Sequence, residues 1–92
     1  MFFEAYTAPN EASYVDDNVV EIDFTSIVLQ LNYRTGANPV YFSFNGTDDH
    51  GVLAGAGGYR KEQTLDPLRV NKIWFRGGSG AEVIEVTALE AI

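Results

Sequence analysis

Ile27-Val28-Leu29-Gln30-Leu31-Asn32-Tyr33-Arg34 decides the fold. Read at period two, Ile27, Leu29, Leu31 and Tyr33 fall on one side of an extended chain, and Val28, Gln30, Asn32 and Arg34 on the other. That is the pattern of a half-buried strand. Upstream, Val20, Ile22 and Phe24 alternate with Glu21 and Asp23 in the same way. Downstream, Pro39 to Asn45 sets Val40, Phe42 and Phe44 against Tyr41 and Ser43, with Gly36 and Asn38 marking the turn before it. Pro39 suits a strand start or an edge.

Beyond Asn45-Gly46, a strong turn dipeptide, the chain runs through a polar loop to His50 and then the glycine-rich stretch 51–58, its least regular region. A short strand is predicted over Tyr59 to Leu65, broken by Asp66-Pro67, and a firmer one over Val70 to Arg76. Gly77-Gly78-Ser79-Gly80 is a turn, and in the last strand, Ala81 to Leu89, Ile84, Val86 and Ala88 oppose Glu85 and Thr87. The final two strands are expected to form a hairpin. No segment carries apolar residues at helical spacing. The reading is all-β: a single antiparallel β-sandwich or jelly-roll-like barrel of about six to eight short strands. Residues 1–17 read as an extended aromatic and acidic N-terminal arm, and 18–92 as the sandwich.

The chain has 92 residues and no cysteine. A domain of this size buries only about 60% of the surface its unfolded chain exposes, so a partner subunit is a natural supplement to its core. Its net charge is −7, and the first basic residue is Arg34, after Glu4, Glu11, Asp16, Asp17, Glu21 and Asp23. Phosphate binding needs clustered cations, which argues against nucleic acid, and an anionic membrane would repel this surface. Met1-Phe2-Phe3-Glu4-Ala5 has neither the basic nor the apolar region of a signal peptide, so synthesis without an export signal is expected.

Catalytic chemistry finds little material. His50 is the one histidine; it follows Asp48-Asp49 in a turn, where a solvated loop explains all three. Ser13, Ser43 and Ser79 lack a nucleophile-elbow context. The pairs Asp16-Asp17 and Asp48-Asp49 match no EF-hand loop and suit turns that cap their own backbone. Gly55-Ala56-Gly57-Gly58 fits neither a dinucleotide fingerprint nor a P-loop. No catalytic residue, metal or cofactor is assigned.

Interface chemistry is better represented. Alternation puts Trp74 with Lys72 and Arg76 on the face opposite Ile73 and Phe75; if that face is the outer one, a large aromatic lies beside two cations, a composition enriched at protein interfaces. Alternatively the Lys72 and Arg76 stems cover Trp74, or its ring stacks on a sugar. Phe2, Phe3, Tyr6 and Tyr14 crowd the arm, and such residues are scarce in tails that stay disordered. They are expected to dock on another chain; folding back over their own sandwich is the alternative. Phe2, Phe3, Tyr6, Tyr14, Lys72, Trp74 and Arg76 are thus the candidate partner-binding residues.

Val40-Tyr41-Phe42-Ser43-Phe44-Asn45-Gly46, then Val70-Asn71-Lys72-Ile73-Trp74-Phe75-Arg76-Gly77-Gly78-Ser79-Gly80-Ala81 and Glu82-Val83-Ile84-Glu85-Val86-Thr87-Ala88, resemble small β-sandwich proteins of tailed bacteriophage virions. The resemblance spans about half the chain. It implies a capsid decoration (cement) protein that reinforces the major capsid protein lattice, as a homotrimer on the outer capsid surface, and resides in the host cytoplasm before assembly. A tail, baseplate or receptor-binding component is the neighbouring reading, and a carbohydrate-binding module using Trp74 belongs to a different class.

Overall fold

The computed structural model describes residues 1–15, 19–54, 61–65 and 69–90. Among them there is no helix, and eight strands follow in order: β1 (Phe2–Thr7), β2 (Val19–Glu21), β3 (Ser26–Thr35), β4 (Val40–Ser43), β5 (Gly51–Leu53), β6 (Glu62–Leu65), β7 (Lys72–Arg76) and β8 (Val83–Glu90). They form two antiparallel four-stranded sheets, sheet A in the order β1-β8-β3-β6 and sheet B in the order β2-β7-β4-β5.

The pairings explain that order. β4 pairs β5, β3 pairs β6, β2 pairs β7 and β1 pairs β8, which is the ladder of one long hairpin with its tip between β4 and β5. Folding the ribbon over itself adds β3·β8 and β4·β7 and divides it into two sheets. This is the winding of a jelly roll.

Period-two patterning fills the space between the sheets. Leu29, Leu31, Tyr33, Ile84, Val86 and Ala88 point in from sheet A, and Val20, Val40, Phe42, Leu53, Ile73 and Phe75 from sheet B; all are buried. Each large apolar side chain removed from water contributes about 1.5–3 kcal/mol. The Tyr6 ring stacks on Phe75 with centroids 5.3 Å apart, joining β1 to β7 across the core.

One end of the sandwich is closed by a buried acid. Glu82 has no solvent exposure, and its carboxylate accepts hydrogen bonds from the Ser79 backbone and hydroxyl and from the Asn38 backbone. The Tyr33 hydroxyl donates to the Asn38 carbonyl at 2.7 Å. Gly36, at φ 142°, lies so close that a Cβ there would meet Glu82 Cγ at 2.5 Å. The turn between β3 and β4 and the crossover from β7 to β8 are therefore tied by a single carboxylate.

Several expectations need correction. The N-terminal segment is not a separate arm: Phe2–Thr7 is an edge strand of sheet A, so the sandwich begins at Phe2 and not at residue 18. Phe2 and Tyr6 pack on the domain's own core, because β8 offers them an apolar inner face in register. β7 and β8 form no hairpin. They lie in different sheets, since Ile73 and Phe75 must face Ile84 and Val86 across the core instead of lining one sheet with them.

The strand predicted over 20–24 is shorter, Val19–Glu21, although Ile22 N–H still donates to the Asn71 carbonyl at 2.8 Å. The chain then crosses to sheet A, where Ser26 N–H donates to the Val70 carbonyl at 2.9 Å. β5 arises within the glycine-rich region, paired with β4; a Cβ at Gly51 would come within 2.3 Å of the Phe42 ring. Asp16, Asp17, the run 55–60 and Asp66-Pro67 lie outside the described residues.

Candidate binding surfaces

On β7 the alternation places Lys72, Trp74 and Arg76 on the outer face of sheet B, with Ile73 and Phe75 buried beneath. Arg76 is held from all sides. Its Nε donates to Asp49 Oδ1 at 3.0 Å, its Nη2 to Oδ2 at 2.5 Å and its Nη1 to the Ala12 carbonyl at 3.3 Å. The guanidinium lies 4.3 Å from the Tyr41 ring centroid and 5.7 Å from that of Tyr14. Tyr41 is there because it is Arg76's register partner on β4.

The Tyr14 hydroxyl donates a short hydrogen bond to Asp49 Oδ1, and Gly77 N–H donates to the Glu11 carbonyl at 2.8 Å. The stretch after β1 is thereby strapped over sheet B. Partial burial, then the bond to Asp49, pushes the Tyr14 phenol well above its ordinary range. The hydrogen bond from Arg76, then that from Tyr14, lowers the Asp49 pKa. A bidentate, cation–π-stacked guanidinium of this kind is a well-ordered device, though a solvent-accessible pair adds only about 0.2–1 kcal/mol.

Trp74 is half-buried beneath the Asn45-Gly46 turn. Gly46 has φ 77°, and a Cβ there would stand 3.1 Å from the indole Cε2. The turn is shaped by its own side chains: Asn45 Oδ1 accepts from the Thr47 and Asp48 N–H groups, and Ser43 Oγ accepts from Asn45 and Gly46. His50 Nδ1 accepts the Phe44 N–H at 3.0 Å, and its ring stacks on that of Phe44. Lys72 lies 3.8 Å from its cross-strand partner Glu21, both well exposed.

The seven candidate partner-binding residues therefore do not form one site. Tyr14 and Arg76 meet, but in binding Asp49 and each other they are occupied within the chain. Trp74 shares Arg76's strand under a turn, Lys72 is at that strand's far end, and Phe2, Phe3 and Tyr6 lie on the other sheet. Of these last three only Phe3 points outward, at 56% exposure.

A second surface was not singled out from the sequence. Phe3 is opposite Thr87, and Leu89 is opposite Val28, on the outer face of sheet A. Met1, Ile27, Val28, Leu89 and Glu90 line an open groove of about 590 Å³ there. Met1, Phe3 and Leu89 are the exposed large apolar side chains among the described residues, and all three belong to this corner. Its signal in the sequence is Val28 and Leu89, two apolar residues at outward positions of otherwise alternating strands.

Among the described residues no group of three or more His, Asp or Glu is placed to hold a metal ion. No described helix is long and apolar enough to cross a membrane. Fold and surface together define an eight-stranded sandwich wound as a jelly roll, with one polar, self-occupied face and one apolar corner. The chain matches no protein-family model, no curated protein and no solved structure.

Proposed function

We infer that the chain is a non-enzymatic structural domain that binds another protein within a larger assembly, and that the assembly is a tailed-phage virion in which it decorates the major capsid protein lattice. The observation that carries the binding reading is the convergence of Met1, Phe3 and Leu89 on one corner of sheet A. Exposed apolar residues scattered singly are ordinary, whereas a cluster beside a sheet edge that no described strand pairs is what contact surfaces are made of. The virion and the trimer come from the resemblance of the 40–46 and 70–88 segments alone. The sugar-binding alternative loses support, because Gly46 lies against the Trp74 indole and obstructs one ring face as a stacking platform.

The test is fractionation from the native source followed by electron microscopy of the particles. Density for the chain on the capsid, at joints between coat subunits, is the expected result. Density confined to the tail shifts the reading to a tail component. A chain that travels alone, apart from any particle, overturns it.

A further inference from the structure

β1 is the terminal strand of sheet A, and β8 fills only one of its two hydrogen-bonding edges. Register fixes which backbone groups are left over. Tyr6 lies opposite Ile84 and Thr7 opposite Val83, so Ala8 continues the ladder opposite Glu82, and Ala8 N–H donates to the Glu82 carbonyl at 2.8 Å. In an antiparallel ladder, residues that exchange hydrogen bonds with the partner recur at every second position. Phe2, Glu4 and Tyr6 therefore turn their backbone groups toward β8, and Phe3, Ala5 and Thr7 turn theirs away from the sheet. Those three residues are exposed, as is Glu4 among them, and no described strand pairs with that edge. Such an unpaired row is a template for another strand.

The chemistry around the edge selects the occupant. β1 and β8 carry Glu4, Glu85 and Glu90 and no Lys or Arg. Apolar surface lies next to them in Met1, Phe3 and Leu89. A second copy offering the same edge would set carboxylates against carboxylates in chains that each carry −7, and like charges across an interface select against that pairing. We propose that β1 is a docking edge for an extended segment of a partner protein in which Lys or Arg alternates with apolar residues. The segment joins sheet A as a fifth strand. Its backbone bonds Phe3, Ala5 and Thr7, its apolar side chains cover Met1 and Phe3, and its cations, on the opposite face, are drawn to Glu4 and to Glu90 at the strand end. This rests on the assembly reading and names the edge and the partner chemistry within it.

The experiment is an amide chemical-shift titration of the full chain with a short synthetic peptide alternating lysine and valine. Its controls are a glutamate–valine counterpart and a lysine–valine peptide N-methylated at every second residue. Expected are saturable shifts at the Phe3, Ala5 and Thr7 amides with the first peptide only. Replacing Glu4→Gln together with Glu90→Gln should weaken binding roughly two- to tenfold, and added salt should weaken it further. Three results overturn the proposal: no shift at those amides at millimolar peptide, an equal response to the glutamate peptide, or the same amides shifting with protein concentration alone as a dimer appears in sedimentation. Retention of the chain on particles is measured separately, so loss of the edge and loss of the assembly reading are told apart.

Discussion

The Ser79 hydroxyl lies 2.9 Å from one carboxylate oxygen of Glu82 and 2.7 Å from the other, while Ser79 N–H donates to the first at 2.5 Å and Asn38 N–H to the second at 3.1 Å. An ionised carboxylate out of contact with water is tolerated only when its lone pairs are filled this way. Burial by itself would raise the acid's pKa; the hydrogen bonds from Ser79 and Asn38 outweigh it and hold Glu82 at about 2.

That difference is a stability term with a definite sign. The folded value lies below the ordinary 4.5, so the contribution is fully present above pH 4.5 and is lost as pH falls through about 2. Its size is roughly 3 kcal/mol. Glu82→Gln should remove much of it by placing an amide NH2 where donors already point, at a cost of about 2–4 kcal/mol at neutral pH. Thermal midpoints from pH 2 to 7 check this. Wild type should lose stability steeply at the acid end while the variant, lower throughout, changes less. Parallel curves would show that Glu82 is not the acid-sensitive group.

The Arg76 clasp should behave differently, because it is solvent-accessible. Tyr14→Phe removes the donor to Asp49 but leaves the ring, and the expected loss is under about 1 kcal/mol. Arg76→Lys removes both the bidentate geometry and the stacking on Tyr41, so it should free the strap without unfolding the sandwich. Amide exchange separates these outcomes. In Arg76→Lys the Gly77 amide, bonded to the Glu11 carbonyl, should exchange faster while the Leu31 and Val86 amides keep their protection. Uniform acceleration would mean the clasp belongs to the global fold.

Legibility in the sequence followed how many partners a residue needs. The alternation of Leu29, Leu31 and Tyr33 is local, and all three are buried as it predicts. β1 was hidden because an edge strand has one paired side and shows no sustained alternation: Glu4 and Ala5, between Phe2 and Tyr6, are both exposed. The supposed hairpin of β7 and β8 shows the same limit, since a glycine-rich turn serves a reversal within a sheet and a crossover between sheets equally well. Asp49 and Arg76 are 27 positions apart and meet only once β4 has set β7 beside the loop after it. The outward position of Trp74 follows from period two, but its cover by Gly46 depends on where a turn comes to rest.

Gly46 offers a direct probe of that cover. Its φ of 77° disfavours a side chain, and a Cβ would press on the indole at 3.1 Å. Gly46→Ala should cost about 1–2 kcal/mol. Gly46→Asn separates the two causes, since asparagine tolerates the left-handed region but still brings a Cβ. Urea unfolding, read by the single tryptophan, measures both. An Asn variant as stable as wild type would mean the ring yields and backbone conformation alone is responsible; equal losses for Ala and Asn would assign the cost to the Trp74 contact.

Removal of residues 1–7 tests whether the N-terminal strand belongs to the domain. β1 supplies a full ladder to β8, two partly buried aromatics on the core, and the Tyr6–Phe75 stack at 5.3 Å. Losing Tyr6 alone removes an aromatic pair worth about 0.5–1.5 kcal/mol beyond its buried area, and Tyr6→Ala should cost about 2–4 kcal/mol in all. Deleting the strand also uncovers the inner-face residues Ile84, Val86 and Ala88 along one side and leaves β8 as a long apolar edge. Against a total stability of about 5–10 kcal/mol for a domain of this size, the truncated chain should be unfolded or aggregated at 25 °C. Far-UV dichroism and size-exclusion chromatography read this directly. A truncated chain that stays monomeric and cooperatively folded, with a midpoint within a few degrees of the full chain, would show that β1 is a dispensable appendage free to dock elsewhere.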